Sequence, residues 1–168
     1  MERSQRQEQA RLEERPFLTI DRHYPVAAEK VWRAWTDPEA LKRWWGPGGP
    51  EQVSLVQLDV RVGGRFRIVF GGPHGNEHEV QGVYKAVVPP TFNTLGKLVF
   101  TWTWPNSTPD RESLVTIVFR QAVVGEKAGT ELAFKHEQFF DEAARDGHKR
   151  GWGEALAKLE GYLRSEQG

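Results

Sequence analysis

The sequence predicts an α+β fold: a curved antiparallel sheet of about seven strands wrapped on one long C-terminal helix, with two short helices after the first strand. Three observations predict it. Trp152, Leu156, Leu159 and Leu163 recur at i, i+4, i+7 and i+11, one apolar stripe of an α-helix. From Glu51 to Phe140 the pattern changes to short alternating runs broken by Gly, Pro and Asn, as in antiparallel strands. A sheet of that length must bury one face, and the terminal helix is the only large apolar partner on offer.

The elements follow in order. Met1 to Arg15 is almost wholly polar, with Leu12 its one large apolar residue after Met1. It is expected to be a solvated extension over residues 1–15, with a helical extension as the alternative, and a single domain follows over residues 16–165. Phe17 to Tyr24 alternates as a strand, with Leu18, Ile20, Arg22 and Tyr24 facing one way. Ala27 to Thr36 is a helix with Val31, Trp32 and Trp35 on its apolar side. Thr36-Asp37-Pro38-Glu39 signals a second helix, Glu39 to about Trp45, with Pro at its first position. Gly46 to Pro50 then breaks the helical pattern, beside Trp44 and Trp45, and suggests a mobile lip at a cavity mouth.

Strands are expected at Gln52 to Val60, Arg65 to Phe70, Glu77 to Val88, Lys97 to Trp104, Arg111 to Val124 and Thr130 to Gln138. Gly71 to Asn76 is a hairpin loop, and Gly125 to Gly129 a turn. From Asp141 the chain turns helical and ends on the apolar stripe.

Composition excludes several functions. Lys+Arg and Asp+Glu are each 23 in 168 residues, a balance that argues against nucleic acid or an anionic membrane as partner. Cysteine is absent, which removes disulfides, thiolate metal sites and cysteine nucleophiles. No apolar run approaches the roughly 18 residues of a membrane span. The N-terminus lacks a signal-peptide core, so a cytoplasmic location is expected. Seven Trp supply large apolar surfaces of the kind that build cores and pockets.

Val31-Trp32-Arg33-Ala34-Trp35-Thr36-Asp37-Pro38-Glu39-Ala40-Leu41-Lys42-Arg43-Trp44-Trp45 resembles a signature of the START-like (SRPBCC) superfamily, and more closely of the family named for the activator of heat-shock-protein-90 ATPase. Asp59 to Phe66 resembles that family's D-x-R-x-G-G turn, Gly82-Val83-Tyr84 its G-x-Y strand, and Val99 to Trp102 its aromatic strand. Gly129 to Leu132, His136 and the closing Gly-Trp helix also fit, so the resemblance covers about Phe17 to Leu163. It implies a helix-grip fold with a cavity between sheet and C-terminal helix, commonly binding apolar or aromatic small molecules. Relatives include binders, cyclases, resistance proteins and co-chaperone domains, so fold leaves function open.

The candidate ligand-binding residues come from the sheet and helix faces that should oppose each other. They are Trp44, Trp45, Phe66, Ile68, Phe70, His78, Tyr84, Trp102, Trp104, Phe119, Phe134, His136, Trp152 and Leu156. The expected partner is an apolar or aromatic small molecule, with no cofactor and no metal. His74 and His78 are four apart, but on extended chain that is about 13 Å, which does not chelate. Asp59 and Arg61 read as a structural pair at the Gly63-Gly64 turn, and His136 as either pocket lining or core filler. Gly151 and Gly153 flank Trp152 and allow three accounts: close backbone approach, room for a ligand, or a loose first turn or kink. No catalytic residue is assigned, because no orienting partner for a histidine is readable.

Small-molecule binding is therefore the leading function. The alternatives are an enzyme of the same fold (cyclase- or hydrolase-like) and a stress-related chaperone ATPase activator. The short polar arm before Pro16 argues against co-chaperone activity, since the eukaryotic co-activators carry a further large N-terminal domain. An exposed edge strand would allow a homodimer.

Overall fold

The computed structural model describes residues 2–45, 53–71, 77–124 and 127–166. The chain forms α1 (Glu2–Glu13), β1 (Leu18–Tyr24), α2 (Ala28–Thr36), α3 (Pro38–Lys42), β2 (Val53–Leu58), β3 (Arg65–Phe70), β4 (His78–Val88), β5 (Gly96–Trp102), β6 (Ser113–Val124), β7 (Lys127–Glu137) and α4 (Glu142–Ser165). The seven strands make one antiparallel sheet in the order β1-β7-β6-β5-β4-β3-β2. This is a meander from β2 to β7, with β1 added along the outer side of β7. It is the helix-grip arrangement expected.

The alternation decides which side closes. Leu18, Ile20 and Tyr24 of β1, Phe66, Ile68 and Phe70 of β3, and Val115, Ile117 and Phe119 of β6 are all buried. They meet the stripe Trp152, Leu156, Leu159 and Leu163, each at most 5% exposed. A buried tyrosine fixes the two layers: Tyr24 Oη donates to the Leu156 carbonyl at 3.4 Å, tying β1 to α4. Asp141 caps α4, its carboxylate accepting from Ala144 N at 2.8 Å. Asp37 does the same for α3, accepting from Glu39 N at 3.0 Å with Pro38 at the first helical position.

Several expectations change. The N-terminal extension takes the helical alternative: Glu2–Glu13 is helical, and from Ser4 onward its side chains are exposed apart from half-buried Leu12. β7 begins at Lys127 rather than Thr130, because Val124 to Ala122 extend the ladder opposite Lys127 to Gly129. The strand expected to reach Trp104 ends at Trp102, with Thr103 in an isolated bridge to Gln81. The expected lip at Gly46–Pro50 and the loop residues 72–76 lie outside the described residues. Asp59 and Arg61 form an ion pair at the Gly63-Gly64 turn. Arg61 Nε lies 3.0 Å from Asp59 Oδ2 on the exposed turn, where Gly63 has φ +85° and a Cβ at Gly64 would come 2.0 Å from the Asp59 carbonyl oxygen.

Candidate functional site

One cleft of about 450 Å3 opens between the end of the sheet and the N-terminal half of α4. Its aromatic wall is Trp45, Phe70, His78, Trp102 and Trp104. Its helical wall is Ala143, Ala144, Gly147, His148, Gly151, Trp152 and Ala155. The rings form a continuous surface: Trp102 lies 5.1 Å from Trp152, 5.6 Å from Trp104 and 5.8 Å from Trp45, centroid to centroid. Opposite them, Ala143, Gly147, Gly151 and Ala155 recur every four residues, so that face of the helix is almost bare backbone.

The glycines answer a question the sequence left open. Gly151 and Gly153 sit deep inside α4, many residues past its start at Glu142, so neither belongs to a first turn. A Cβ built at Gly147, Gly151 or Gly153 meets nothing within 4 Å, so close backbone approach explains none of them. Gly147 and Gly151 face open cleft.

Two histidines, His148 in the cleft wall and His136 behind it, are held in defined tautomers. An indole N–H only donates and a carbonyl only accepts. Trp104 Nε1 donates to His148 Nε2 at 3.1 Å, and His148 Nδ1 lies 2.7 Å from the Ala144 carbonyl. His148 is therefore neutral, with its proton on Nδ1. Trp152 Nε1 donates to His136 Nδ1 at 3.0 Å, so the His136 proton sits on Nε2, facing Ser113 Oγ at 2.7 Å. The two rings are opposite tautomers, 5.2 Å apart. Burial pushes the His136 imidazole well below its ordinary range, and neighbouring His148 adds to the shift. Burial also lowers His148, against the opposing pull of its bond to Ala144.

This polarity decides the chemistry of the Ser113–His136 pair. It has the spacing of a nucleophile and its base, but the imidazole nitrogen facing the hydroxyl already carries the proton and cannot take another. Both side chains are also buried, Ser113 at 3% and His136 at 0% exposed, and neither lines the cleft. The pair is built to hold Trp152 and the sheet in register. Among the described residues no cluster of three or more His, Asp or Glu side chains is placed to hold a metal.

Of the residues predicted to bind ligand, the cleft brings together Trp45, Phe70, His78, Trp102, Trp104 and Trp152. Phe66, Ile68 and Tyr84 surround a separate void of only about 10 Å3. Trp44, Phe119, Phe134, His136 and Leu156 are packed in the interior, each fully buried. Sequence reasoning missed His148, the Ala143, Ala144, Gly147 and Ala155 surface, and Phe139, whose tilted ring lies 4.2 Å from His136 and 4.9 Å from His148. The signal that could have found the helical wall was the four-residue spacing of small residues ahead of Trp152.

Residues 25–164 match the family described as activator of Hsp90 ATPase homolog 1-like protein. The chain belongs to this family. No curated protein matches it. Solved structures of similar fold include a protein from Nitrosomonas europaea, 26% identical with TM-score 0.65, aligned over 90% of this chain and 96% of that one. An HSP90 activator from Plasmodium falciparum is 25% identical with TM-score 0.66, over 88% of this chain and 95% of that one. A protein of unknown function from Staphylococcus aureus, 18% identical over 92% and 98% of the two chains, shares the fold at TM-score 0.67. Among the described residues no helix of this family member is long and apolar enough to cross a membrane.

Proposed function

We propose that the chain binds an apolar or aromatic small molecule in the cleft between the aromatic end of the sheet and the N-terminal half of α4. The observation that carries this is the pair Gly147 and Gly151. Each costs the helix about 1 kcal/mol relative to Ala. Neither is required by packing, since a Cβ at either meets nothing within 4 Å. What both do is leave space against a wall of indole rings. An apolar cleft of this size lies in the range of small-molecule sites, about 300–1,000 Å3.

The test is a panel of aromatic and lipid-like compounds followed by tryptophan fluorescence and thermal melting. A ligand at 100-fold its Kd stabilises the fold by about 2.7 kcal/mol, which raises Tm by roughly 5–10 °C. Gly147→Ala and Gly151→Ala are expected to raise the melting temperature of the free protein by about 2–4 °C each while weakening binding. Gly151→Leu is expected to abolish binding and leave the fold intact. A panel with no binder, or alanine variants that bind as well as the parent, would sink the proposal.

A second function is favoured by the likeness to the Plasmodium falciparum HSP90 activator. It is tested by adding the chain to an Hsp90 ATPase assay, where a rise in turnover that Gly151→Leu leaves untouched would place activity on another surface.

A further inference from the structure

The cleft offers many ring faces but very few groups that can hydrogen-bond a ligand. Trp104 Nε1 and both nitrogens of His148 are committed to each other and to Ala144. Trp152 Nε1 is committed to His136. The Trp45 and Trp102 indole nitrogens are buried, without a hydrogen-bond partner. His78 is different. It sits opposite Phe70 at the last rung of the β3–β4 ladder, exposed at the edge of the cleft. Its ring is steadied by Phe70 at 5.6 Å and lies edge-on to Trp104 at 6.4 Å and 74°. Among the described residues its nitrogens have no hydrogen-bond partner.

The charge of the lining narrows the ligand further. No Asp, Glu, Lys or Arg is among the described residues that line the cleft. An ionised molecule would lose hydration there without gaining a counter-charge, which is costly. Ring faces on one side and bare helix on the other favour a flat ligand that stacks.

We propose that His78 is the specificity-determining residue of the cleft, hydrogen-bonding the single polar substituent of a flat, uncharged aromatic molecule that carries a hydroxyl group. This rests on the cleft being a binding site. A phenolic hydroxyl both donates and accepts, so it can pair with a ring N–H or with a bare ring nitrogen of His78.

Calorimetric titration of the full chain with naphthalene, 2-naphthol and 2-naphthoate tests it. In the parent, 2-naphthol is expected to bind about five- to tenfold more tightly than naphthalene, the gain from one hydrogen bond. 2-Naphthoate is expected to bind most weakly. Within the His78→Leu variant 2-naphthol should bind no more tightly than naphthalene, and His78→Gln should restore part of the difference. His78 is exposed, so both variants are expected to melt as the parent does. Equal affinity of the parent for naphthalene and 2-naphthol, a preference for naphthoate, or a His78→Leu variant that still prefers 2-naphthol overturns the assignment while leaving the cleft a binding site. Failure of all three probes to bind overturns both.

Discussion

His136 and His148 each accept an indole N–H, so protonating either ring removes an acceptor and sets two donors against each other. Both are held below the ordinary histidine value of 6.5, chiefly by burial. The unfolded chain therefore takes up protons before the native one. Stability is full above about pH 6.5 and falls as pH drops toward the folded values, by up to about 1.4 kcal/mol per pH unit for each histidine. Urea unfolding at a series of pH values between about pH 7.5 and about pH 5 should show this loss. His148→Gln, whose amide oxygen can still accept from Trp104, is expected to shallow the slope and keep the fold. An unchanged slope would show that His148 does not contribute. None of this was readable from sequence. His148 is four residues from Trp152 on the helix, but its partner Trp104 arrives from the end of the sheet, and only the fold brings them together.

At the scale of the element, α4 is two helices in one. From Leu156 to Leu163 its stripe is solid core; from Ala143 to Ala155 the face toward the cleft is small residues apart from His148 and Trp152. Substitutions should divide accordingly. Leu156→Ala is expected to lose about 2–5 kcal/mol on cavity formation. Asp141→Ala is expected to lose about 1 kcal/mol with the cap. Gly147→Ala should gain. Chemical denaturation of the three variants checks all signs at once. The division also explains what the sequence revealed. Hydrophobic periodicity reports burial, so it marks the half that packs and is silent on the half that faces open space. Trp152, at the junction, was legible as a cleft residue because it belongs to both. Phe134 and Leu156 lie on the same two faces, but at the depth where sheet and helix touch, and so are buried outside the cleft lining.

The whole molecule was largely legible because each level of its sequence agrees with the next. Arg65 to Phe70 alternates and its turns carry glycine, so both strand and reversal are local facts. Faces followed from period, and the sheet's partner followed from there being one apolar helix. The boundaries were less legible, since ladders extend through residues such as Lys127 and Ala128 whose side chains say little about pairing.

The strand order has a kinetic consequence. β2 through β7 pair with sequence neighbours, whereas β1 pairs only with β7, Leu18 opposite His136, across nearly the whole domain. Closing so long a loop is the entropically late step. β1 is therefore the seam of the domain, docked last during folding and released first. Leu18→Ala is expected to accelerate unfolding while barely slowing folding, whereas Ile117→Val in the interior strand β6 should slow folding. Stopped-flow chevrons on the two variants distinguish them, and equal effects on the folding limb would show that β1 is already in place at the barrier.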